Sequence, residues 1–248
     1  MARRAAILEI LSRGGFSSIP ELTRELGASQ ATIRRDLAHL HGTGRLRRTY
    51  GGAVSNAVSE VPYREKLAEA AHEKARIAQL AASLVEPGSS IGITGGTTAL
   101  FVARRLPRGA GLTVVTNALT TAMELAGSEM RIIVTGGELR GTTFELVGPL
   151  SESVLQHIHL DAVFVGVDGI SPESGLTTHN TVEAQTNRWL IDRATRAIVV
   201  ADGRKLGRRT FAQIVPLERA DLLITDVSAD PEQVRALRAA GVEVLLAS

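Results

Sequence analysis

The sequence predicts an α/β protein in two parts: a small helical unit at the N-terminus and a larger unit built on a mostly parallel sheet. Three observations support this division. Residues 1–58 contain nine Arg and four acidic residues, a net charge of +5, whereas the rest of the chain carries −3. Three short helical patterns fill the first 55 residues. Beyond residue 90, short apolar runs alternate with helical patterns, as in a parallel sheet covered by helices.

The composition excludes several classes of protein. Of the 248 residues, 44% are hydrophobic, so the chain can bury a substantial core. The absence of cysteine excludes disulfides, thiolate catalysis and Cys-ligated metal centres. No apolar run approaches the roughly 18 residues of a membrane-spanning helix, and Glu9 and Arg13 interrupt any signal-peptide core. We therefore expect a soluble, cytoplasmic protein.

The first 55 residues have the spacing of a helix-turn-helix. Gly27 stands where a helix C-cap glycine belongs, and Ser29 is placed to cap the next helix. On that helix Ile33, Leu37 and Leu40 share one face, which we expect to be buried. In a helix-turn-helix the second helix of the pair enters the DNA major groove.

The opposite face of this third helix carries the side chains that DNA reading requires. Thr32 and Arg35 point away from the apolar face, with Arg34 and Asp36 beside them and His39 nearby. Arg donates twice to guanine or holds a phosphate, so adjacent Arg residues favour a DNA-reading helix. A solvated basic face is the alternative.

A basic segment with period-two alternation follows, from Gly44 to Gly52, and predicts a two-stranded wing along the DNA backbone. A basic surface hairpin without DNA contact is the other interpretation. The candidate DNA-contacting residues are Ser29, Gln30, Thr32, Arg34, Arg35, His39, Arg45, Arg47 and Arg48.

The larger unit follows a polar linker and a helix of about 15 residues that stops at Pro87. Strands are predicted near residues 90–93, 112–115, 131–134, 162–165, 197–201, 222–225 and 242–245. Helices are predicted near residues 98–106, 118–126, 151–157, 182–194 and 231–240.

Polar residues and glycines follow five successive strands of this unit. Glycines let a backbone approach a ligand, a helix N-terminus attracts an anion, and Thr hydroxyls add donors. Any one of these segments alone could be a turn, but ligands in such sheets bind beyond the carboxyl ends of the strands. Together they predict a site for a phosphorylated ligand. The candidate residues are Thr94, Gly95, Gly96, Thr97, Thr98, Thr116, Asn117, Gly136, Gly137, Asp168, Gly169, Asp202 and Lys205.

Several other kinds of site are not supported. The chain has neither the glycine fingerprint of dinucleotide-binding folds nor a P-loop. His157 and His159 lack further ligands for a metal, so a packing or solvated role is favoured. We expect no metal and no cofactor.

The run from Ser29 to Leu37, followed by Leu40, Gly44 and the segment 46–53, resembles the signature of DeoR-type bacterial transcriptional regulators. Members usually read S-x-x-T-I-R-R-D-L and then G-x-L-x-R-x-H-G-G-A. Tyr50 stands where the family commonly has His. The resemblance covers nearly the whole chain.

This resemblance implies a C-terminal sensor domain similar in fold to ribose-5-phosphate isomerase that binds a sugar phosphate or related metabolite. The segment 92–99 resembles the family's phosphate loop, although many members have Asp at Thr94. Asp202 and Lys205 match an Asp-x-x-Lys motif implicated in the effector response.

The same resemblance extends to two further segments. Glu183 matches the start of a Glu-Glu-Ala helix and joins the candidate ligand residues, while Asn187 and Leu190 replace that motif's usual Lys and Met. Lys66 and Lys74 resemble two basic positions between the domains, although solvated surface lysines are an equal interpretation.

These observations favour a ligand-responsive regulator over two alternatives. An isomerase-like enzyme needs paired carboxylates, and Asp168-Gly169-Ile170-Ser171 supplies one. An architectural DNA-binding protein would leave the polar strand ends unexplained. We expect a winged helix-turn-helix domain at residues 1–56, a linker at 57–73 and a sensor domain at 74–248. The expected partners are operator DNA, a sugar phosphate and further copies of the chain in a homodimer or larger homo-oligomer, with the protein acting as a repressor of carbohydrate metabolism genes.

Overall fold

The computed structural model describes residues 2–14, 16–43, 45–55 and 63–248. The N-terminal unit contains three helices and a three-stranded antiparallel sheet of order β1-β3-β2. Its elements are α1 (Ala2–Gly14), β1 (Phe16–Ser18), α2 (Ile19–Leu26), α3 (Gln30–Gly42), β2 (Leu46–Thr49) and β3 (Gly52–Ser55). The helix-turn-helix is α2 and α3, and the wing is the β2–β3 hairpin, so the predicted fold of this unit is confirmed.

Local signals define the ends of these helices. Ser18 caps α2 in a capping box with Glu21, whose carboxylate accepts the Ser18 backbone N–H at 2.8 Å. Gly27 ends α2 in the left-handed conformation at φ +59°, which glycine adopts without strain. Ser29 then caps α3 by accepting the backbone N–H of Thr32.

The larger unit is a seven-stranded parallel sheet of order β15-β14-β12-β9-β4-β5-β6, covered by helices. Its helices are α4 (Tyr63–Ala68), α5 (Ala71–Ala82), α6 (Thr97–Arg105), α7 (Leu119–Leu125), α8 (Pro149–Leu155), α9 (Thr181–Asp192) and α10 (Pro231–Ala239). The strands of the main sheet are β4 (Ser90–Ile93), β5 (Thr113–Thr116), β6 (Arg131–Val134), β9 (Leu160–Gly166), β12 (Ala194–Val200), β14 (Leu222–Asp226) and β15 (Glu243–Ala247). Two smaller sheets consist of β7 (Glu138–Arg140) with β8 (Glu145–Val147), and of β10 (Gly169–Ser171), β11 (Gly175–Thr178) and β13 (Ala212–Val215).

Each face of the main sheet packs against its own hydrophobic cluster. Phe164 and Ile198 belong to the cluster that includes α5 and α6, whereas Val163, Val165 and Val199 belong to the cluster under α9 and α10. This alternation along β9 and β12 follows from the two-residue period of a strand. Burial on both faces explains why these strands appear in the sequence as continuous apolar runs.

All seven predicted strands and five predicted helices of this unit are present, with ends within three residues of the predicted ones. The predicted α/β class is therefore confirmed. The strand β1, the β7–β8 hairpin and the β10–β11–β13 sheet were not predicted, and they consist of segments of three or four residues. Segments of this length are too short for an alternation of apolar and polar residues to be recognised.

The boundaries at residues 56 and 73 stay predictions, since residues 56–62 lie outside the described ranges. No helix within those ranges is long and apolar enough to cross a membrane.

Candidate functional site

The exposed face of α3 carries the predicted DNA-reading side chains. Ile33, Leu37 and Leu40 are buried as expected. Their burial fixes the rotation of the helix, so that Arg34 and Arg35 are exposed. Exposed candidates also include Ser29, Gln30, His39, Arg45 and Arg48, while Thr32 is half-buried. The side chain of Arg47 lies outside those that the structure describes.

Asp36 lies apart from this exposed face and has a structural role. It is buried at 4% exposure, where the Nε atoms of Arg3 and Arg4 donate to its two carboxylate oxygens at 2.7 and 2.9 Å. Burial would raise the pKa of Asp36, but hydrogen bonds from the two guanidinium groups outweigh burial and lower it. Asp36 therefore ties α1 to the DNA-reading helix, and two of the N-terminal Arg residues are committed to this contact.

A polar pocket lies at the carboxyl end of the parallel sheet, between the N-terminus of α6, the helix α4 and the β7–β8 hairpin. It encloses about 630 Å³ of space outside protein atoms, including its open mouth. Gly96 starts α6 at φ +106°, and no side chain caps this helix. The first-turn N–H groups and the helix dipole make this end of the pocket suited to an anion.

Asp168, at the end of β9, is the centre of the charged network in this pocket. Lys66 on α4 and Lys205 both donate to its Oδ1, at 3.0 and 3.3 Å, and Thr178 donates to its Oδ2 at 3.2 Å. Burial would raise the pKa of Asp168, but the charges of Lys66, Lys205 and His179 outweigh burial and hold it well below its usual range. One carboxylate therefore joins two lysines from distant parts of the chain.

A second acidic group lies beside the hairpin. Glu183 is buried, accepts a hydrogen bond from Thr178 and pairs with Arg140. Burial and the nearby charges of Glu145 and Asp168 raise its pKa well above the usual range. A carboxyl group in such an environment takes up a proton more readily, and a protonated carboxyl both donates and accepts hydrogen bonds.

The helix α4 is held against the pocket at both ends. Tyr63 packs edge-on against Phe144, with ring centroids 5.5 Å apart. At the other end Arg204 pairs with Glu69 at 3.2 Å. Phe144 adopts φ +59°, a conformation rare for a side chain of its size and a mark of local strain.

Lys74 holds the C-terminal end of α4 in place by hydrogen bonds to its backbone. It is buried at 3% exposure, and its ammonium donates to the backbone carbonyls of Glu69, at 2.7 Å, and Lys66. Burial lowers the pKa of Lys74 to about 8. Both lysines of the linker region thus lie in the pocket and not on a solvated helix surface.

The buried amine of Lys74 predicts a pH dependence of stability. The unfolded chain keeps this proton up to about pH 10.5, whereas the folded protein releases it near pH 8. The unfolded state therefore binds more protons between these values, and the free energy of unfolding rises with pH across this window, by up to about 3 kcal/mol. Lys74→Met should flatten this rise, as measured by urea unfolding at a series of pH values. An equal slope in variant and wild type would contradict the assignment.

Eight of the predicted ligand residues meet in the pocket lining. They are Gly95, Gly96, Thr97, Thr98, Asp168, Glu183, Asp202 and Lys205. The expectation that polar strand ends converge at one edge of the sheet therefore holds for the ends of β4, β9 and β12.

Six predicted ligand residues lie outside the lining of this pocket, and a role for them in ligand binding stays a prediction. Their side chains or backbone groups make hydrogen bonds or close backbone contacts within the protein. Thr94 accepts the N–H of Gly166 at 2.9 Å, and Thr116 donates to the carbonyl of Ile93 at 2.7 Å. The six residues are Thr94, Thr116, Asn117, Gly136, Gly137 and Gly169.

The contacts of the other four are equally internal. The Asn117 amide donates to Asn187, and the Gly136 carbonyl accepts from Ser151. A Cβ at Gly137 would collide with the backbone of Val147, and a Cβ at Gly169 with the backbone of Arg208. Glycine at positions 137 and 169 therefore permits close packing of the backbone.

Several lining residues were not predicted from the sequence, among them the charged residues Glu69, Glu145 and Arg204. Arg204 lies inside the Asp-x-x-Lys motif of residues 202–205 and could have been included. Glu145 follows no strand of the main sheet, and it reaches the pocket because the Leu146 N–H donates to the Asn117 carbonyl at 2.7 Å. The missed lining residues are Tyr63, Glu69, Thr143, Glu145, Gly166, Val167 and Arg204.

Comparison with known proteins identifies the family. Residues 3–58 match the DeoR-like helix-turn-helix domain, and residues 69–227 match the DeoR C terminal sensor domain. The HTH-type transcriptional regulator GlpR of Haloferax volcanii is 37% identical over 245 residues, covering 98% of this chain and 96% of the relative. The glycerol-3-phosphate regulon repressor of Escherichia coli is 32% identical over 226 residues, covering 90% of each chain.

Among solved structures, ribose 5-phosphate isomerase A from Methanocaldococcus jannaschii is similar over 53% of this chain and 52% of its own. The identity is 18% and the TM-score 0.39, too low to carry an argument about function. The relatives found by sequence are transcriptional regulators and not enzymes, so the enzyme alternative is set aside. With both of its parts matched, the chain belongs to the DeoR family of DNA-binding transcriptional regulators.

Proposed function

We propose that this chain is a repressor of carbohydrate metabolism genes whose affinity for operator DNA is controlled by a sugar phosphate. The observation that carries the proposal is the position of Asp168, which lies beside the anion-binding end of the pocket and pairs with Lys66 of α4. A ligand that enters this pocket meets a side chain from the segment that leads to the DNA-binding unit.

The charge balance of the pocket favours a ligand that combines an anion with hydroxyl groups. Four cations line it, but so do five acidic residues, and the pKa of one of them, Glu183, is raised. Backbone N–H groups at the start of α6 suit a phosphate, whereas carboxylates accept hydroxyl protons. A ligand that carries hydroxyl groups beside its anion would use both kinds of lining residue, whereas a simple anion would use only one. The acidic residues are Glu69, Glu145, Asp168, Glu183 and Asp202.

One relative is the glycerol-3-phosphate regulon repressor of Escherichia coli, so the regulon of that protein is named after a metabolite that combines a phosphate with hydroxyl groups. A single basic unit binds DNA weakly, so we expect paired units on repeated half-sites, in a homodimer or larger homo-oligomer.

Ligand binding would act through α4. A phosphate at the start of α6 competes with Asp168 for Lys66, and withdrawal of that lysine releases one of the contacts that fix α4. The remaining contacts, Tyr63 with Phe144 and Glu69 with Arg204, would then shift with it. A coupling of about 1–3 kcal/mol, roughly 5- to 150-fold in DNA affinity, is sufficient for regulation.

Thermal unfolding against a panel of sugar phosphates and their unphosphorylated parents tests the proposal. A ligand at about 100 times its Kd stabilises the native state by about 2.7 kcal/mol, which raises Tm by roughly 5–10 °C for a chain of this size. We expect a shift for at least one phosphate and none for its parent sugar. If no ligand of the panel shifts Tm, the sugar-phosphate assignment is rejected, whereas the assignment of DNA binding is unaffected.

Lys205→Ala is expected to bind DNA but respond poorly to the ligand. Asp168 keeps Lys66 as a partner in this variant, so the pocket stays folded. Loss of a charged hydrogen bond to the ligand lowers its affinity by about 10- to 150-fold. Arg219→Ala, which removes a cation from an exposed pair with Asp192, is the matched control. Full ligand sensitivity in Lys205→Ala would show that this residue lies outside the binding site.

A further inference from the structure

Two ionic hydrogen bonds join the DNA-binding unit to the larger unit. Arg209, between β12 and β13, donates from Nη1 and Nη2 to the two carboxylate oxygens of Glu21 on α2, at 2.9 and 2.7 Å. This bidentate geometry makes the contact both stronger and more specific in orientation than a single hydrogen bond. Hydrogen bonding from Arg209 lowers the pKa of Glu21 to about 2, so the pair is ionised at any physiological pH.

An aromatic contact lies directly beside this ion pair. Phe16 of β1 meets Phe211 edge to face, with ring centroids 5.5 Å apart and planes at 65°. The Arg209 guanidinium lies 5.6 Å from the centre of the Phe16 ring, within the range of a cation–π interaction. Four side chains from two units therefore form one compact contact.

The larger unit's half of this contact belongs to the loop that lines the ligand pocket. Lys205, which binds Asp168, precedes Arg209 by four residues. The intervening backbone is fixed on both sides: Lys205 N–H donates to the Asp202 carbonyl at 2.9 Å, and Gly207 N–H donates to Ile170 at 2.8 Å.

The end of this loop is equally constrained. The Thr210 N–H donates to the Thr177 hydroxyl at 3.0 Å. The Arg208 carbonyl packs so closely on Gly169 that a Cβ there would collide with it. A loop held at both ends transmits a displacement of Lys205 instead of absorbing it, because packed segments have few intermediate arrangements.

We propose that Phe16, Glu21, Arg209 and Phe211 form an interdomain latch through which the pocket loop, residues 202–211, sets the orientation of the DNA-binding unit. This route is separate from α4 and reaches α2 directly. The ligand-dependent part of the inference rests on the proposed function, whereas the latch itself operates in the ligand-free protein.

The variants that test the latch are chosen to spare the fold. Glu21 also completes the capping box of α2, a role that Gln can fill. Glu21→Gln therefore removes the charge and keeps the cap. Arg209→Gln removes the other charge, and the double variant completes a cycle that isolates the coupling between the two residues. Arg219→Ala serves again as the control for loss of an exposed cation.

The orientation of the two units can be measured by electron spin resonance. The chain has no cysteine, so Arg24→Cys and Glu218→Cys place one nitroxide label on an exposed position of each unit. Dilution into excess unlabelled protein suppresses distances between copies. We expect a narrow distance distribution in the wild-type background and a broad one in Glu21→Gln and Arg209→Gln. A narrow, unchanged distribution in these two variants would overturn the latch.

Affinity for DNA supplies a second readout, using a fragment selected by the wild-type protein from a random-sequence pool. Each latch variant should change ligand-free affinity by about 5- to 150-fold, and the double variant should change it no further than either single one. Additive effects would overturn the proposed pairing. If no sugar phosphate raises the wild-type Tm, the proposed effector fails, but the distance distributions still decide whether the latch exists.

Discussion

Gly95→Ala is expected to weaken the ligand response of this regulator strongly while its DNA-binding unit stays intact. A Cβ at Gly95 would overlap the carboxyl group of Glu145, which is only 2% exposed and has little room to move. The new methyl group therefore forces Glu145 toward the pocket or shifts the start of α6. Overpacking of this kind costs about 1–3 kcal/mol, so ligand affinity should fall by about 5- to 150-fold or more.

The matched control is Gly141→Ala. Gly141 lies in the turn of the β7–β8 hairpin, where a Cβ would meet no heavy atom within 4 Å and the backbone has no positive φ. Ligand-induced shifts in Tm, measured side by side, should persist in this control. Adding Glu145→Ala to Gly95→Ala should recover the ligand-free Tm, since the obstructing carboxylate is removed. A normal ligand response in Gly95→Ala alone would place the ligand elsewhere.

Arg35→Ala is expected to abolish the preference for operator DNA. The burial of Ile33 and Leu37 aims Arg35 away from the core, where a bidentate contact with guanine is worth about 1–3 kcal/mol. Affinity for a half-site should fall by about 5- to 150-fold, and in a dimer the loss applies to both half-sites. Affinity for non-specific DNA should fall much less, because that binding depends on charge.

Arg235→Ala makes the same change in net charge on α10, in an exposed position of the larger unit. It should leave the operator preference unchanged in a gel-shift or fluorescence-anisotropy titration. Arg48→Ala, on the wing, should weaken binding to every sequence and reduce the salt slope by about one, the behaviour of a phosphate contact. Equal losses on operator and non-specific DNA in Arg35→Ala would assign that residue to the phosphate backbone.

The elements that were predicted correctly from the sequence are those whose side chains are buried in the core of the larger unit. The strands that contain Phe164 and Val199 are buried on both faces, so their apolar runs are unmistakable. The β7–β8 hairpin is three residues per strand and polar in part, so nothing in its pattern distinguishes it from a loop. Glu145 was missed for this reason, although it lines the pocket.

The candidate site shows the limit of reasoning from strand ends. A polar residue at a strand end can either face a ligand pocket or form hydrogen bonds with backbone groups of neighbouring strands, and the sequence does not distinguish the two. Thr97 and Thr98 line the pocket, whereas Thr94 and Thr116 saturate backbone groups between strands. Lys66 is a pocket residue that follows no strand end. It stands 102 residues before Asp168 in the sequence, and only the three-dimensional fold brings the two side chains together.

The double role of Glu21 has a consequence for chimeric regulators, in which the DNA-binding unit of one protein is joined to the sensor of another. Stability of α2 requires only a residue that completes the capping box, so a graft with Gln at this position should fold and recognise its operator. Communication with the sensor through the proposed latch requires the carboxylate that Arg209 holds. Such a graft is therefore expected to keep its operator preference but to lose the part of the ligand response that passes through the latch, and its ligand-free affinity for DNA should change. Exchange of that one side chain would restore its use as a biosensor.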